Sequence, residues 1–256
     1  MILKILFIGD IVSKLGREVL AKSLSTIVKK HNIDLVIANC ENATGGRGIS
    51  IEHYKYLKNL GIHAFTSGEH IFKVPKTEKY INDLDIAIPI NLPNIYIGKR
   101  FLDINIKNTQ IRVISLLGSV FMKQEVFNPF TTIEKFLNKD FNKDKIILID
   151  FHAEATSEKQ ALKYFLAGKV SAIVGTHTHV QTNDPQIVKG TAYITDLGMT
   201  GSTNSVIGVK SNIIINRFYK ADSSPFEWEK NGDSKINGVV ISIDTKTKLA
   251  SNISIL

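Results

Sequence analysis

The chain has 256 residues, 43% of them hydrophobic, one cysteine and a formal charge of +8. That length suits one large domain or two small ones, and the apolar content suffices for a sizeable core. No apolar run approaches the roughly 18 residues needed to span a bilayer, which excludes a membrane-embedded class. The single Cys40 rules out an internal disulfide and fits a reducing cytoplasm. The positive charge comes from scattered lysines without a Lys/Arg stripe interleaved with aromatics. It therefore reads as a solvated surface with a mildly positive field suited to an acidic ligand, more than as a nucleic-acid face.

Ile2 to Ile8 is a nearly continuous apolar run, the pattern of a strand buried on both faces. It lacks a basic start and a small-residue cleavage site, so it is a first strand and not a signal peptide. Arg17 to Lys30 carries Val19, Leu20, Leu24, Ile27 and Val28 on one helical stripe. Leu35 to Asn39 is the second strand and leads into Cys40-Glu41-Asn42. The loop from Ala43 to Gly48 is glycine-rich, matches neither nucleotide-binding glycine fingerprint, and lets backbone approach closely. Ile51 to Leu60 is an amphipathic helix stopped by Gly61. Ala64 to Thr66 is a third strand ahead of Ser67-Gly68-Glu69-His70. A short helix is expected near Lys76 to Leu84, and a strand over Ile86 to Ile88 before a loop marked by Pro89 and Pro93.

Phe101 to Lys107 and Ile111 to Leu117 pattern as a β-hairpin. A helix is expected around Ile133 to Leu137. Ile146 to Ile149 is a strand ending in Asp150-Phe151-His152. Thr156 to Leu166 is a helix capped by Thr156 or Ser157. Val170 to Val174 is a strand leading into Gly175-Thr176-His177-Thr178-His179. Ala192 to Thr195 is a further strand, Ser211 to Phe218 a helix, and the segment from about Phe226 onward supplies antiparallel strands, Val239 to Ile243 and Asn252 to Leu256. Alternating strands and helices with late hairpins predict one α/β domain with mixed sheets over residues 1–256.

The residue types that bind metals recur at one kind of place. Asp10, Glu41, Glu69-His70, His152 and the pair His177/His179 each lie a few residues beyond an apolar strand. Ligands of open α/β sheets bind at the carboxyl ends of strands. If the loop holding His177 and His179 is extended, both imidazoles face one small volume. Together these residues are the stock of a two-metal centre. His31, His53 and His63 lie away from strand ends and are expected to be surface or structural histidines. Asp150, Glu154 and Asp196 are expected to orient histidine ligands or cap a helix.

Gly9-Asp10, Glu41-Asn42, Gly68-Glu69-His70, the run from Asp150 to Lys159, the run from Gly175 to Thr182 and the run from Gly190 to Gly201 resemble the calcineurin-like metallophosphoesterases. More narrowly, the chain resembles the YmdB-like bacterial phosphodiesterases, nearly end to end. The resemblance implies a four-layer α/β/β/α sandwich of two mixed sheets flanked by helices. It also implies two metal ions per chain, iron or manganese with magnesium or zinc as alternatives. One ion would take Asp10, Glu41, Asn42 and His179; the other Glu41 as a bridge, Glu69, His152 and His177. The reaction implied is hydrolysis of a phosphodiester such as a 2′,3′-cyclic nucleotide, by a metal-bridging hydroxide with His70 as proton donor. Relatives carry Asn where this chain has Glu69, which adds a negative charge and a longer stem. Two alternatives stay open: a phosphomonoesterase or nuclease using the same centre, and a nucleotide- or RNA-binding regulator with weak catalysis. A cytoplasmic homo-oligomer acting on a small-molecule phosphodiester, with RNA as a second candidate partner and no membrane, is the expected setting.

Overall fold

A computed structural model describes residues 1–93, 97–139, 142 and 144–256. In chain order the elements are β1 (Ile2–Ile8), β2 (Asp10–Ile11), α1 (Ser13–His31), β3 (Leu35–Asn39), α2 (Ile51–Asn59), β4 (Ala64–Thr66), β5 (Ile86–Ala87), β6 (Phe101–Ile106), β7 (Thr109–Leu117) and α3 (Pro129–Leu137). They continue with β8 (Ile146–His152), α4 (Thr156–Leu166), β9 (Ala172–Thr176), β10 (Gln186–Val188), β11 (Thr191–Ile194), β12 (Met199–Ser202), α5 (Ser211–Lys220), β13 (Ser234–Lys235), β14 (Gly238–Asp244) and β15 (Ala250–Ile255).

Two six-stranded sheets dominate, in the orders β15-β14-β1-β3-β4-β5 and β10-β11-β9-β8-β7-β6; β2, β12 and β13 form a small third sheet. Within the first, β1, β3, β4 and β5 run parallel. Within the second, β7, β8, β9 and β11 run parallel. Side chains alternate along each strand, and the alternation sorts the core into three layers. Leu3, Ile5 and Phe7 of β1 meet Ile146 and Leu148 of β8 and Ala172 and Val174 of β9 between the sheets. Leu6 and Ile8 face α1 and α2, packing with Leu20, Leu24 and Leu57. Ile147, Ile149 and Phe151 face α3 and α4, packing with Ile133, Leu162 and Leu166. The result is the four-layer α/β/β/α sandwich with mixed sheets, as expected.

Several local expectations are corrected. Helix α1 starts at Ser13, one turn before Arg17. Glycine is a poor helix former, but Gly16 is required there because the Thr200 carbonyl of β12 occupies the space of a Cβ. The helix near Lys76 to Leu84 is two separate 3-10 turns, Thr77–Lys79 and Ile81–Asp83; Tyr80 between them leaves helical geometry and its hydroxyl donates to the Ile49 carbonyl. Helix α4 has Ala155 at its N-cap and no side-chain cap from Thr156 or Ser157. The carboxylate of Glu158 in its first turn is spent on the Ser119 and Val120 amides. Strand β8 runs on to His152, and β9 sits two residues later than expected, so Gly175 and Thr176 lie inside it. The hairpin of β6 and β7 forms as expected.

Gly175 packs directly against the Thr195 carbonyl at the end of β11, leaving no room for a Cβ. Overpacking of this kind costs about 1–3 kcal/mol. Gly175→Ala is expected to lower the unfolding free energy by that order, seen in equilibrium urea denaturation as a lower midpoint at unchanged m-value.

Candidate metal centre

The site grows out of the layer between the sheets. On that face β3 reads Leu35, Ile37 and then Asn39; β4 reads Ala64, then Thr66; β8 reads Ile146, Leu148 and then Asp150 and His152; β9 reads Ala172, Val174, then Thr176. Each strand thus turns from apolar to polar at its carboxyl end. Asp150 is fully buried there. Its Oδ2 accepts from Asn39 Nδ2 at 2.9 Å and from the Thr66 hydroxyl, and its Oδ1 accepts from Thr176 Oγ1 at 2.6 Å. Donors from both sheets therefore meet on one carboxylate.

Above this layer the expected ligands gather in two groups. In the first, His179 Nε2 lies 3.8 Å from Asp10 Oδ1 and 3.1 Å from the Asn42 side-chain nitrogen, which is itself 3.4 Å from Asp10 Oδ1 and 3.5 Å from Glu41 Oε1. A half-turn of the Asn42 amide exchanges its nitrogen for the oxygen a cation needs. In the second group, His152 Nε2 is 3.0 Å from Glu41 Oε1, 3.0 Å from Glu69 Oε2 and 3.1 Å from His177 Nδ1. One ligand atom from each of Glu41, Glu69, His152 and His177 falls within 4.8 Å of the others. Glu41 belongs to both groups. Gly68 makes the convergence possible, since a Cβ there would collide with Glu41 Oε2 and the His152 ring.

The second nitrogen of each imidazole is engaged from behind. His152 Nδ1 is 2.8 Å from Thr176 Oγ1, whose proton goes to Asp150. His177 Nε2 is 3.1 Å from Glu154 Oε2. His179 Nδ1 donates to the Ile207 carbonyl at 2.9 Å. These contacts fix which nitrogen of each ring turns inward, the arrangement usual for metal-binding histidines. Asp150 and Glu154 therefore do orient histidines, Asp150 through Thr176. Asp196 acts one step further away: it accepts from the amides of Thr178 and Gly198 and from the buried Lys159, which also donates to the Thr176 carbonyl.

One expectation about this segment is wrong. His177 and His179 are not in an extended stretch; their φ angles are +97° and +67°. The chain bends twice, so the two rings part, His177 to the second group and His179 to the first. Left-handed backbone at two non-glycine residues is strained, and strain of that kind collects at functional sites.

The electrostatics call for cations. Burial pushes the Asp10 carboxyl up to about 6, against the pull of the neighbouring His179 and His152 charges. Burial would lower His152, but Glu41 and Glu69 overcome it and hold the imidazole well above its usual value. Burial would raise Glu69, but His152 and His177 hold it below the carboxylate range. Burial and the His152 charge lower His177. Glu69 Oε2 is buried with no well-angled hydrogen bond. A cluster of carboxylates and inward nitrogens, with one buried carboxylate oxygen that has no well-angled hydrogen bond, fits divalent ions that displace protons from their ligands. Neighbouring ligand atoms on bonds of about 2.1 Å at right angles lie about 3.0 Å apart, the spacing found around His152 Nε2.

His70 stands at the rim, its Nδ1 3.1 Å from Asn42 Oδ1 and 3.5 Å from Glu41 Oε1, and it lines a cavity of about 330 Å³ that opens from the ligands. His53 and His63 are structural as expected: one contacts the Thr44 hydroxyl, the other accepts from the Val36 amide. Cys40 is buried, which pushes its thiol up. Sequence reasoning missed Asn39, Thr66, Thr176 and Lys159 as supports and the cavity wall formed by Ile207, Val209, Phe226 and Trp228.

The fold is that of the calcineurin-like metallophosphoesterases. A 5′-nucleotidase precursor from Thermus thermophilus shares it at TM-score 0.58 and 12% identity, over 100% of this chain and 54% of that one, a likeness of fold alone. A phosphatase from Mycoplasma pneumoniae is similar at TM-score 0.93 and 35% identity, over 100% of this chain and 93% of that chain. The 2′,3′-cyclic-nucleotide 2′-phosphodiesterase of Bacillus subtilis is 38% identical over 253 residues, 98% of this chain and 95% of that protein. A family model described as YmdB-like protein matches residues 6–256, and the chain belongs to that family. It is an enzyme of the phosphoric ester hydrolase class.

Breaking a buried ion pair by removing one partner costs about 3–5 kcal/mol. Lys159→Met leaves Asp196 buried and unpaired and is expected to show a loss of that order in chemical denaturation, part of it restored in the double variant Lys159→Met/Asp196→Leu.

Proposed function

We propose that this chain hydrolyses phosphodiesters at a two-metal centre, with 2′,3′-cyclic nucleotides as its substrates. The observation that carries the reading is the convergence of two ligand groups on the shared Glu41 between the sheets. The activity named for the Bacillus subtilis relative supports the choice of substrate. Asp10, Glu41, Asn42 and His179 would hold one ion, and Glu41, Glu69, His152 and His177 the other. The mixed nitrogen and oxygen donors suit iron or manganese. Glu69 in place of a neutral amide makes the second position more negative and favours a more highly charged ion there. Bound ions supply Lewis-acid polarisation of the phosphoryl oxygens and a lowered pKa for the attacking water.

The chain's own residues do the rest. Glu41, at both positions, sets their separation. Asp150 through Thr176, Glu154 and the Ile207 carbonyl engage the outer nitrogens of His152, His177 and His179 and so aim the inner ones. His70 lies at the mouth of the cavity beside the ligands, where it holds the proton that the leaving ribose oxygen requires. Its backbone amide donates to Glu41 Oε2 at 3.2 Å, tying the donor to the bridge.

Chelation is expected to abolish hydrolysis of 2′,3′-cyclic AMP, and restored manganese or iron to return it; full activity in metal-free protein would refute the reading. A positioned general acid contributes about 10²–10⁴-fold. His70→Ala is therefore expected to keep its bound metal, by elemental analysis, while kcat falls by that factor. Glu69→Asn is expected to retain two ions and turnover, with a changed preference among metals in reconstitution.

A further inference from the structure

The cavity beside the ligands has two unlike ends. One is the metal-binding cluster with His70. The other is apolar: Ile207, Val209, Phe226 and Trp228. A cyclic phosphate and its ribose are polar throughout and have no use for such a wall. Its construction is specific. Trp228 is the chain's one tryptophan. It bridges Val209, and the flanking backbone is tied by Lys210 N to the Glu227 carbonyl and by Glu229 N to the Gly208 carbonyl, both at 2.9 Å. The indole lies where a side chain on Gly46 would be, and a Cβ on Gly208 would come within 3.1 Å of its Cζ3. So the glycine-rich loop, which matches no phosphate-binding pattern, serves here to admit an aromatic ring beside the ligands. Trp228 also lines a second cavity of about 430 Å³, with Phe226 and Arg47 common to both. Ile207, part of the same wall, has a φ of +48°, a strained conformation for a β-branched residue; its carbonyl is the one that orients His179. Wall and metal ligands are thereby joined through one residue.

We propose that Trp228, with Phe226, is the nucleobase subsite of this enzyme: the phosphate end of the substrate lies on the ligand cluster and the base lies against the indole. This rests on the phosphodiesterase reading and adds what selects the substrate. A cavity of about 330 Å³ is within the range of roughly 300–1,000 Å³ that takes small ligands. Stacking on the indole reads no base edge, and purines, with more stacking area, bind better than pyrimidines.

The single tryptophan makes the test direct. Adenosine 3′-monophosphate, titrated into the metal-loaded protein, is expected to quench the intrinsic fluorescence saturably, and ribose 3-phosphate at equal concentration to leave it nearly unchanged. In steady-state kinetics Trp228→Ala is expected to raise KM for 2′,3′-cyclic AMP by about 5- to 150-fold, the size of one base–aromatic stack, with kcat little changed. Base-free ribose 2,3-cyclic phosphate is expected to lose nothing, and Trp228→Phe to recover most of the affinity. Equal quenching by both probes, or equal losses on both substrates, would overturn the subsite while leaving the phosphodiesterase reading in place. Base-dependent quenching in a wild-type protein that turns over neither substrate would uphold the subsite and remove the reading beneath it.

Discussion

Asp150 is the interaction on which the centre depends. A carboxylate without access to water is costly unless its oxygens are hydrogen-bonded, and burial raises the Asp150 carboxyl even so. Here Asn39 and Thr66 reach it from the first sheet and Thr176 from the second. Elsewhere the two sheets meet largely through apolar side chains, which fix distance far better than register, with Ser115 of β7 adding a bond to the Ser67 carbonyl beyond β4. One shared acceptor pins their relative position, and the same Thr176 hydroxyl passes that position on to His152. Placement of His152 within the cluster is therefore set by the fold's central seam and not by the loops alone.

Above that seam the balance of charge is deliberately unequal. Asp10, Glu41 and Glu69 bring three carboxyl groups into a largely buried volume, and Glu41 and Glu69 hold the His152 imidazole well above its usual value. A protonated imidazole is a poor ligand, so proton and metal compete for the same nitrogen. Lys159, the nearest buried ammonium, is already engaged with Asp196 and supports the backbone of 176–178 from outside. No described cation other than histidine neutralises the cluster itself.

Much of this was legible in the sequence because strand ends advertise themselves. Buried parallel strands are continuous apolar runs, and a Gly-Asp, Cys-Glu-Asn or Asp-Phe-His directly after one stands out. The boundaries of β1, β3 and β4 follow from that alone. What was hidden depended on distant partners. Asn39, Thr66 and Thr176 look like ordinary strand-terminal polar residues until the facing sheet supplies Asp150. The two bends at His177 and His179 contradict the plain reading of an alternating pair, since local pattern carries no sign that His177 meets His152 while His179 meets Asp10. Trp228 sits in a polar stretch with no periodicity, and only the bare backbone of Gly46 and Gly208 explains its place. The 3-10 turns after Lys76 share the apolar spacing of a helix and differ by a single residue, Tyr80.

The order of the strands has a consequence for the life of the chain. The clustered carboxylates come from the first third of the sequence and the clustered imidazoles from the second half, while β1 is completed on its outer side by β14. A chain emerging from the ribosome thus carries Asp10, Glu41 and Glu69 long before His152, His177 and His179 join them, and β1 waits for β14. The cluster of Glu41, Glu69, His152 and His177 therefore forms only once β9 and the turn after it have been made.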